Sequence, residues 1–149
     1  MPHSYVSNLV HCVFSTRDRL PSIDQELEFR LWPYAGGIAR ENGMKALAIG
    51  GTSNHLHTLL SLPSTMSIAK AVQLLKGGSS KWVHELSPDY GKFPWQDGYG
   101  AFSVSASQKD KTVAYIRGQK EHHRKRTFRE EFLEFLDMHG VEYDPRYIF

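Results

Sequence analysis

The chain has 149 residues, 40% of them hydrophobic, enough for one compact domain with a full core and no reason to divide it. Eighteen Lys and Arg against 16 Asp and Glu leave a formal charge of +2, so composition alone does not mark a nucleic-acid binder and any basic face must come from local clustering. The single cysteine, Cys12, excludes an internal disulfide, and no run approaches the roughly 20 apolar residues that span a bilayer; with no signal-peptide pattern at the start, a cytoplasmic protein without a membrane partner is expected.

Tyr5 to Thr16 is β-branched, aromatic and apolar, and predicts a first strand with Cys12 inside it. Leu27, Leu31, Ala35 and Ile38 then recur at helical spacing up to Asn42-Gly43, with Pro33 expected to bend that helix. Lys45 to Ile49 and His55 to Leu62 read as a hairpin across the turn formers Gly50 to Asn54. Ser67 can cap a second helix carrying Ile68, Val72, Leu75, Trp82, Val83 and Leu86, weakened at Gly77-Gly78 and closed by Pro88. Residues 88 to 100 suggest a loop anchored by its own aromatic rings. Phe102, Val104 and Ala106 alternate with serines as in a half-buried strand, and Ser107 with Asp110 resembles a capping box for a third helix starting near Gln108. Thr127 and Glu130 predict a second box, opening a helix with Phe128, Phe132, Leu133 and Leu136 that ends at Gly140 before an irregular aromatic tail. This order is the α+β, ferredoxin-like split βαβ layout: an antiparallel sheet with helices on one face, plus C-terminal helices, in one domain over residues 1–149.

Chemistry concentrates in two places. His55 and His57, two apart on a strand, point from one face and can share a metal, although a hydrogen-bonded or exposed pair has the same spacing. On the third helix Tyr115 and Gln119 are four apart, in a polar stripe with Gln108, Lys111 and His122, away from Val113 and Ile116. That stripe makes Lys111 and His122 candidate helpers of the tyrosine, and the thin apolar face implies a loosely docked helix. Positive charge follows in Arg117, Lys120, Arg124, Lys125, Arg126 and Arg129 against Glu121, of which Arg117, Lys120, Arg124 and Lys125 are the candidate DNA contacts. In LLKGGSSKW, Lys76, Ser79, Ser80 and Lys81 could meet a phosphate where small residues permit close approach; the glycines could equally mark a hinge. No Gly-rich phosphate loop with Lys-Ser/Thr is present.

Taken with HCVFSTRDRLP, AIGGTSNHLHTLL, LLKGGSSKW, WQDGYGAFSVSAS and AYIRGQKEHH, these features resemble the HUH single-tyrosine transposases of bacterial insertion sequences, close relatives of the REP-associated tyrosine transposases. The resemblance implies metal-dependent cleavage and strand transfer of single-stranded DNA through a 5′-phosphotyrosine. Tyr115 would be the nucleophile, and His55, His57 and Gln119 would hold Mg²⁺ or Mn²⁺. It further implies recognition of DNA hairpins at the ends of an element, and a homodimer whose active site is shared between subunits. Two other readings of the same residues stay open: a module that binds hairpin or single-stranded nucleic acid without cutting it, and a metal-dependent phosphodiesterase that activates water.

Overall fold

Alternation along the first strand sets the two faces of the sheet. In the structure, a computed structural model describing residues 4–86 and 95–148, β1 (Leu9–Ser15) turns Val10, Cys12 and Phe14 to one side and His11 and Val13 to the other. Burial pushes the Cys12 thiol up to about 12, so it is an inert core residue. The other strands are β2 (Lys45–Thr52), β3 (His55–Ser61) and β4 (Gly100–Val104), antiparallel in the order β2-β3-β1-β4. Consecutive β2 and β3 pair as a hairpin, while β1 lies between β3 and β4. This is the expected ferredoxin-like sheet.

Helices α1 (Gln25–Glu41) and α2 (Ile68–Leu86) cover the Val10, Cys12 and Phe14 face through Leu27, Leu31, Ala39, Val72, Leu75 and Val83. Asp24 caps α1 by accepting from the Leu27 amide at 2.7 Å, and Ser67 caps α2 by accepting from the Lys70 amide at 3.0 Å. α1 runs unbroken through Pro33, which is exposed. α2 likewise continues through Gly77-Gly78; a Cβ on Gly78 would come within 2.8 Å of Ile38 Cδ1, so that glycine admits α1. The expected closure of α2 at Pro88 lies outside the described residues, as does most of the loop at 88 to 100. Within its described part, Trp95 is anchored by Phe14, by the bridge to Thr16 and by donating its Nε1–H to Ser79 Oγ.

The C-terminal helices α3 (Lys109–Arg117), α4 (Gln119–His122) and α5 (Phe128–Met138) take the opposite face, so the sheet is buried on both sides. The capping box Thr127/Glu130 forms as expected. The one expected at Ser107/Asp110 does not: a 3-10 turn over Ala106–Gln108 precedes α3, and Ser107 Oγ pairs instead with Ser105 Oγ. Gly50 and Gly51, expected in the hairpin turn, belong to β2, and the turn shrinks to Ser53-Asn54. A Cβ on Gly50 would lie 2.2 Å from the Ile116 carbonyl oxygen, so this strand needs glycine to let the end of α3 approach. Ile116 is fully buried against Ala48 and Leu59, so α3 is seated more firmly than its thin apolar face suggested. Among the described residues no helix is long and apolar enough to cross a membrane.

Candidate active site

On β3 the odd-numbered residues face α3–α5, which aims His55 and His57 into the seam between sheet and C-terminal helices, where both are fully buried. Each ring is oriented from behind. His57 Nδ1 meets His11 Nε2 at 2.7 Å, and His55 Nδ1 meets Asn54 Oδ1 at 2.8 Å and Thr52 Oγ1 at 3.0 Å. Both Nε2 atoms therefore project forward, into a group formed with His123 and Glu131 whose ligand atoms all lie within 4.8 Å of one another.

Glu131, on α5, is the hub. Its Oε1 lies 2.8 Å from His57 Nε2, 3.1 Å from His123 Nε2 and 3.7 Å from His55 Nε2. Its Oε2 accepts from the Tyr115 hydroxyl and, at 3.1 Å, from Gln119 Nε2. That last bond turns the Gln119 amide oxygen toward His55 Nε2, at 2.9 Å. Tyr115 also accepts a 2.7 Å hydrogen bond from Arg126 Nη2, and its ring stacks on His122 with centroids 4.6 Å apart. The tyrosine oxygen, the glutamine and the two imidazoles thus meet within one chain.

The helix expected to carry both Tyr115 and Gln119 is interrupted at Gly118, yet the two side chains still converge on Glu131. Of the expected helpers, His122 touches the tyrosine ring and Lys111 lines the same cavity as Tyr115. Arg117, Lys120, Arg124 and Lys125 are exposed, and the last three border a cleft of about 600 Å³ beside His123 and Asn54. Lys120 also pairs with Glu28 at 3.1 Å. The α2 candidates lie across the sheet from this cleft. Lys76 donates to the carbonyls of Gln96 and Gly98, and Ser79 is buried, donating to the Leu75 carbonyl while it accepts from Trp95; both serve the packing of α2 rather than a free phosphate site. Lys81 is exposed and Ser80 half-buried.

Burial governs the charges. Desolvation, then the neighbouring His57, lowers His55 to about 3, and desolvation lowers His11 and His57 as well, with Glu131 partly opposing it at His57. Burial and the Glu131 hydrogen bond push Tyr115 well above the usual phenol range. Burial would raise the Glu131 carboxyl, but the close His123 and His57 imidazoles and the Tyr115 hydroxyl outweigh it and hold the group ionised far below the usual carboxylate range. Buried histidines kept neutral bind protons more readily in the unfolded chain. Folding stability is therefore complete above the ordinary pKa of about 6.5 and declines as pH falls below it, by at most about 1.4 kcal/mol per unit for each such ring. For His55 the decline continues to about pH 3. Urea unfolding in a chelator is expected to show this loss setting in near pH 6.5; equal stability at pH 7 and pH 5 would mean that the rings ionise freely.

The donor set suits a cation. With His55 Nδ1 donating to Asn54, a neutral ring leaves a lone pair on Nε2 facing the Gln119 oxygen, and His123 Nε2 is buried without a well-aligned partner. Nitrogen and oxygen ligands in this mixture can hold a divalent cation.

The family profile described as "Transposase IS200 like" matches residues 4–119. The chain belongs to that transposase family. Among solved structures, a protein from Deinococcus radiodurans R1, provisionally named a transposase, is 24% identical, with 76% of this chain and 92% of that one aligned at a TM-score of 0.62. A REP-associated tyrosine transposase bound to a REP hairpin is 14% identical, with 76% and 67% covered at a TM-score of 0.57. These likenesses concern the fold. No functionally curated protein matches the chain. The matched segment of this transposase contains His55, His57, Tyr115 and Gln119 but ends before His123, Arg126 and Glu131. Those three were not singled out from the sequence, although Glu131 left a trace: it falls on the apolar stripe Phe128, Phe132, Phe135, Leu136, where an acid is out of place.

Proposed function

We propose that this transposase cleaves single-stranded DNA and transfers strands through a covalent 5′-phosphotyrosine on Tyr115. The observation that carries the reading is the convergence of the Tyr115 hydroxyl, Gln119, His55 and His57 on one buried carboxylate, Glu131. His55, His57 and Gln119 would hold Mg²⁺ or Mn²⁺, with Glu131 and His123 alongside. Bound there, a divalent cation supplies positive charge to a phosphodiester oxygen.

The chain's own residues do the rest. Tyr115 Oη forms a bond to phosphorus while the P–O3′ bond breaks; the phenolic proton is released and the departing 3′ oxygen takes one up. The phosphoester is conserved, so a different 3′-hydroxyl can reverse the step and join new ends without ATP. The Glu131 carboxylate now occupies the partners that a phosphate would need, so DNA entry requires α5 or this side chain to move. Arg117, Lys120, Arg124 and Lys125 would track the strand, with Ser80 and Lys81 as further candidate contacts for DNA wrapping past α2. Hairpins at the ends of an element are the proposed substrates, in line with the hairpin bound by the REP-associated relative. A homodimer sharing its sites would keep the same convergence by exchanging α3 between subunits.

The test incubates the protein with labelled single-stranded DNA from the flanks of its own gene, with Mn²⁺ or Mg²⁺, and resolves the products on a denaturing gel. A slow protein-DNA band that vanishes with chelator is expected. DNA cut by a hydrolytic route, with no such band under any metal, would favour water activation instead.

A further inference from the structure

We propose that Arg126 is a catalytic residue of this transposase, a guanidinium that grips the phosphoryl group as it passes to and from the Tyr115 oxygen. This rests on the tyrosine-transfer reading above. Arg126 lies on the loop between α4 and α5, beyond the residues matched by the family, and in the sequence it is one charge in a basic run.

Three observations single it out. Its Nη2 donates to Tyr115 Oη at 2.7 Å, so it touches the atom that would attack phosphorus. A guanidinium has no acceptor and does not give up its proton, so at that oxygen it can only donate; it favours the oxygen as negative charge gathers on it or on an attached phosphate. Second, its remaining bonds go to carboxylates: Nη1 pairs with Glu134, and Nη2 lies 3.8 Å from Glu131 Oε2. These are the positions a phosphate's oxygens would take on the same planar fork. Glu134 is largely exposed, so exchanging that pair for a phosphate costs little.

Third, Arg126 stands at a crossing. It borders the basic cleft of about 600 Å³ with Lys120, Arg124 and Lys125, and also a cavity of about 350 Å³ on the other side, walled by His11, Tyr115, Phe135 and Met138. A strand tracked along the basic cleft must pass this guanidinium to bring a phosphate to Tyr115. Of these two spaces the neighbouring Arg124 and Lys125 border the cleft and not the cavity, which separates backbone tracking from a role at the reacting atom.

In the step itself the Oη–P bond forms and the P–O3′ bond breaks, its electron pair leaving with the 3′ oxygen, which gains a proton as the phenol loses one. Arg126 exchanges no proton. It holds the phosphoryl oxygens over Oη and stabilises the charge that builds there.

Single-turnover adduct formation, with saturating labelled single-stranded DNA and Mn²⁺, separates the possibilities. Arg126→Ala is expected to slow the adduct about 100-fold while DNA affinity stays within about threefold, Arg126→Lys to recover part of the rate, and added guanidinium to rescue Arg126→Ala. Arg124→Ala is expected to weaken single-strand affinity, the quantity that Arg126→Ala leaves nearly unchanged. An Arg126→Ala protein that reacts within about threefold of wild type at saturation, or whose loss neither lysine nor guanidinium relieves, would overturn the role. Failure of the wild-type protein itself to form any adduct would instead remove the tyrosine-transfer reading, and this inference with it.

Discussion

Tyr115→Phe is expected to eliminate covalent attachment to DNA, lowering strand cleavage by at least about 10⁴-fold, while single-strand affinity stays within about threefold. The ring makes most of its contacts through its faces and edges, stacking on His122 and meeting Phe135 and His57, and phenylalanine keeps all of these. What disappears is one oxygen, the donor to Glu131 and acceptor from Arg126. Glu131 Oε2 retains Gln119 as a donor, so stability should fall by only about 1 kcal/mol. The three readings of the residues therefore part cleanly. A water-activating phosphodiesterase would still cut once the phenol oxygen is gone, and a binding module would form no adduct even as wild type.

Glu131→Ala is expected to cost roughly 3–5 kcal/mol in metal-free protein. The side chain is buried, and its oxygens are the shared partners of His57, His123, Tyr115 and Gln119. Removing them leaves several buried polar groups unpaired, each at about 1–3 kcal/mol, with water entering the gap offsetting part of the loss. Glu131→Gln should cost less, because the amide keeps one acceptor. Urea unfolding in a chelator measures both. A loss below about 1 kcal/mol for the alanine variant would mean that α5 does not depend on this contact. Divalent metal should stabilise wild type in proportion to its occupancy, and a larger deficit for Glu131→Ala in metal than in chelator would make the carboxylate a ligand rather than a neighbour.

Local pattern carried the sheet and its order of elements, because each strand and helix declares its period and most boundaries carry a cap or a turn former. The errors have a common physical origin. Gly50 and Gly51 read as a turn because glycine usually marks one, whereas here Gly50 admits the end of α3 and Gly51 the backbone of His55 on β3, close approaches with no local signature. Gly118 divides the tyrosine helix for reasons that periodicity does not register. In the site, His55, His57, Tyr115 and Gln119 were legible because each sits in a spaced pair along the chain. His11 on β1 is far away in the chain, and His123, Arg126 and Glu131 follow one another without a recognisable spacing; the four meet only after folding. The two that could have been suspected, His11 and Glu131, are polar residues inside apolar stretches.

Covalent attachment of DNA at the Tyr115 phenol is tested most directly by mass spectrometry of the trapped adduct. After nuclease digestion and trypsin, the peptide Thr112–Arg117 should carry a nucleotide remnant on Tyr115, dependent on divalent metal. A remnant on any other residue, or cleaved DNA with that peptide unmodified throughout the reaction, would contradict it.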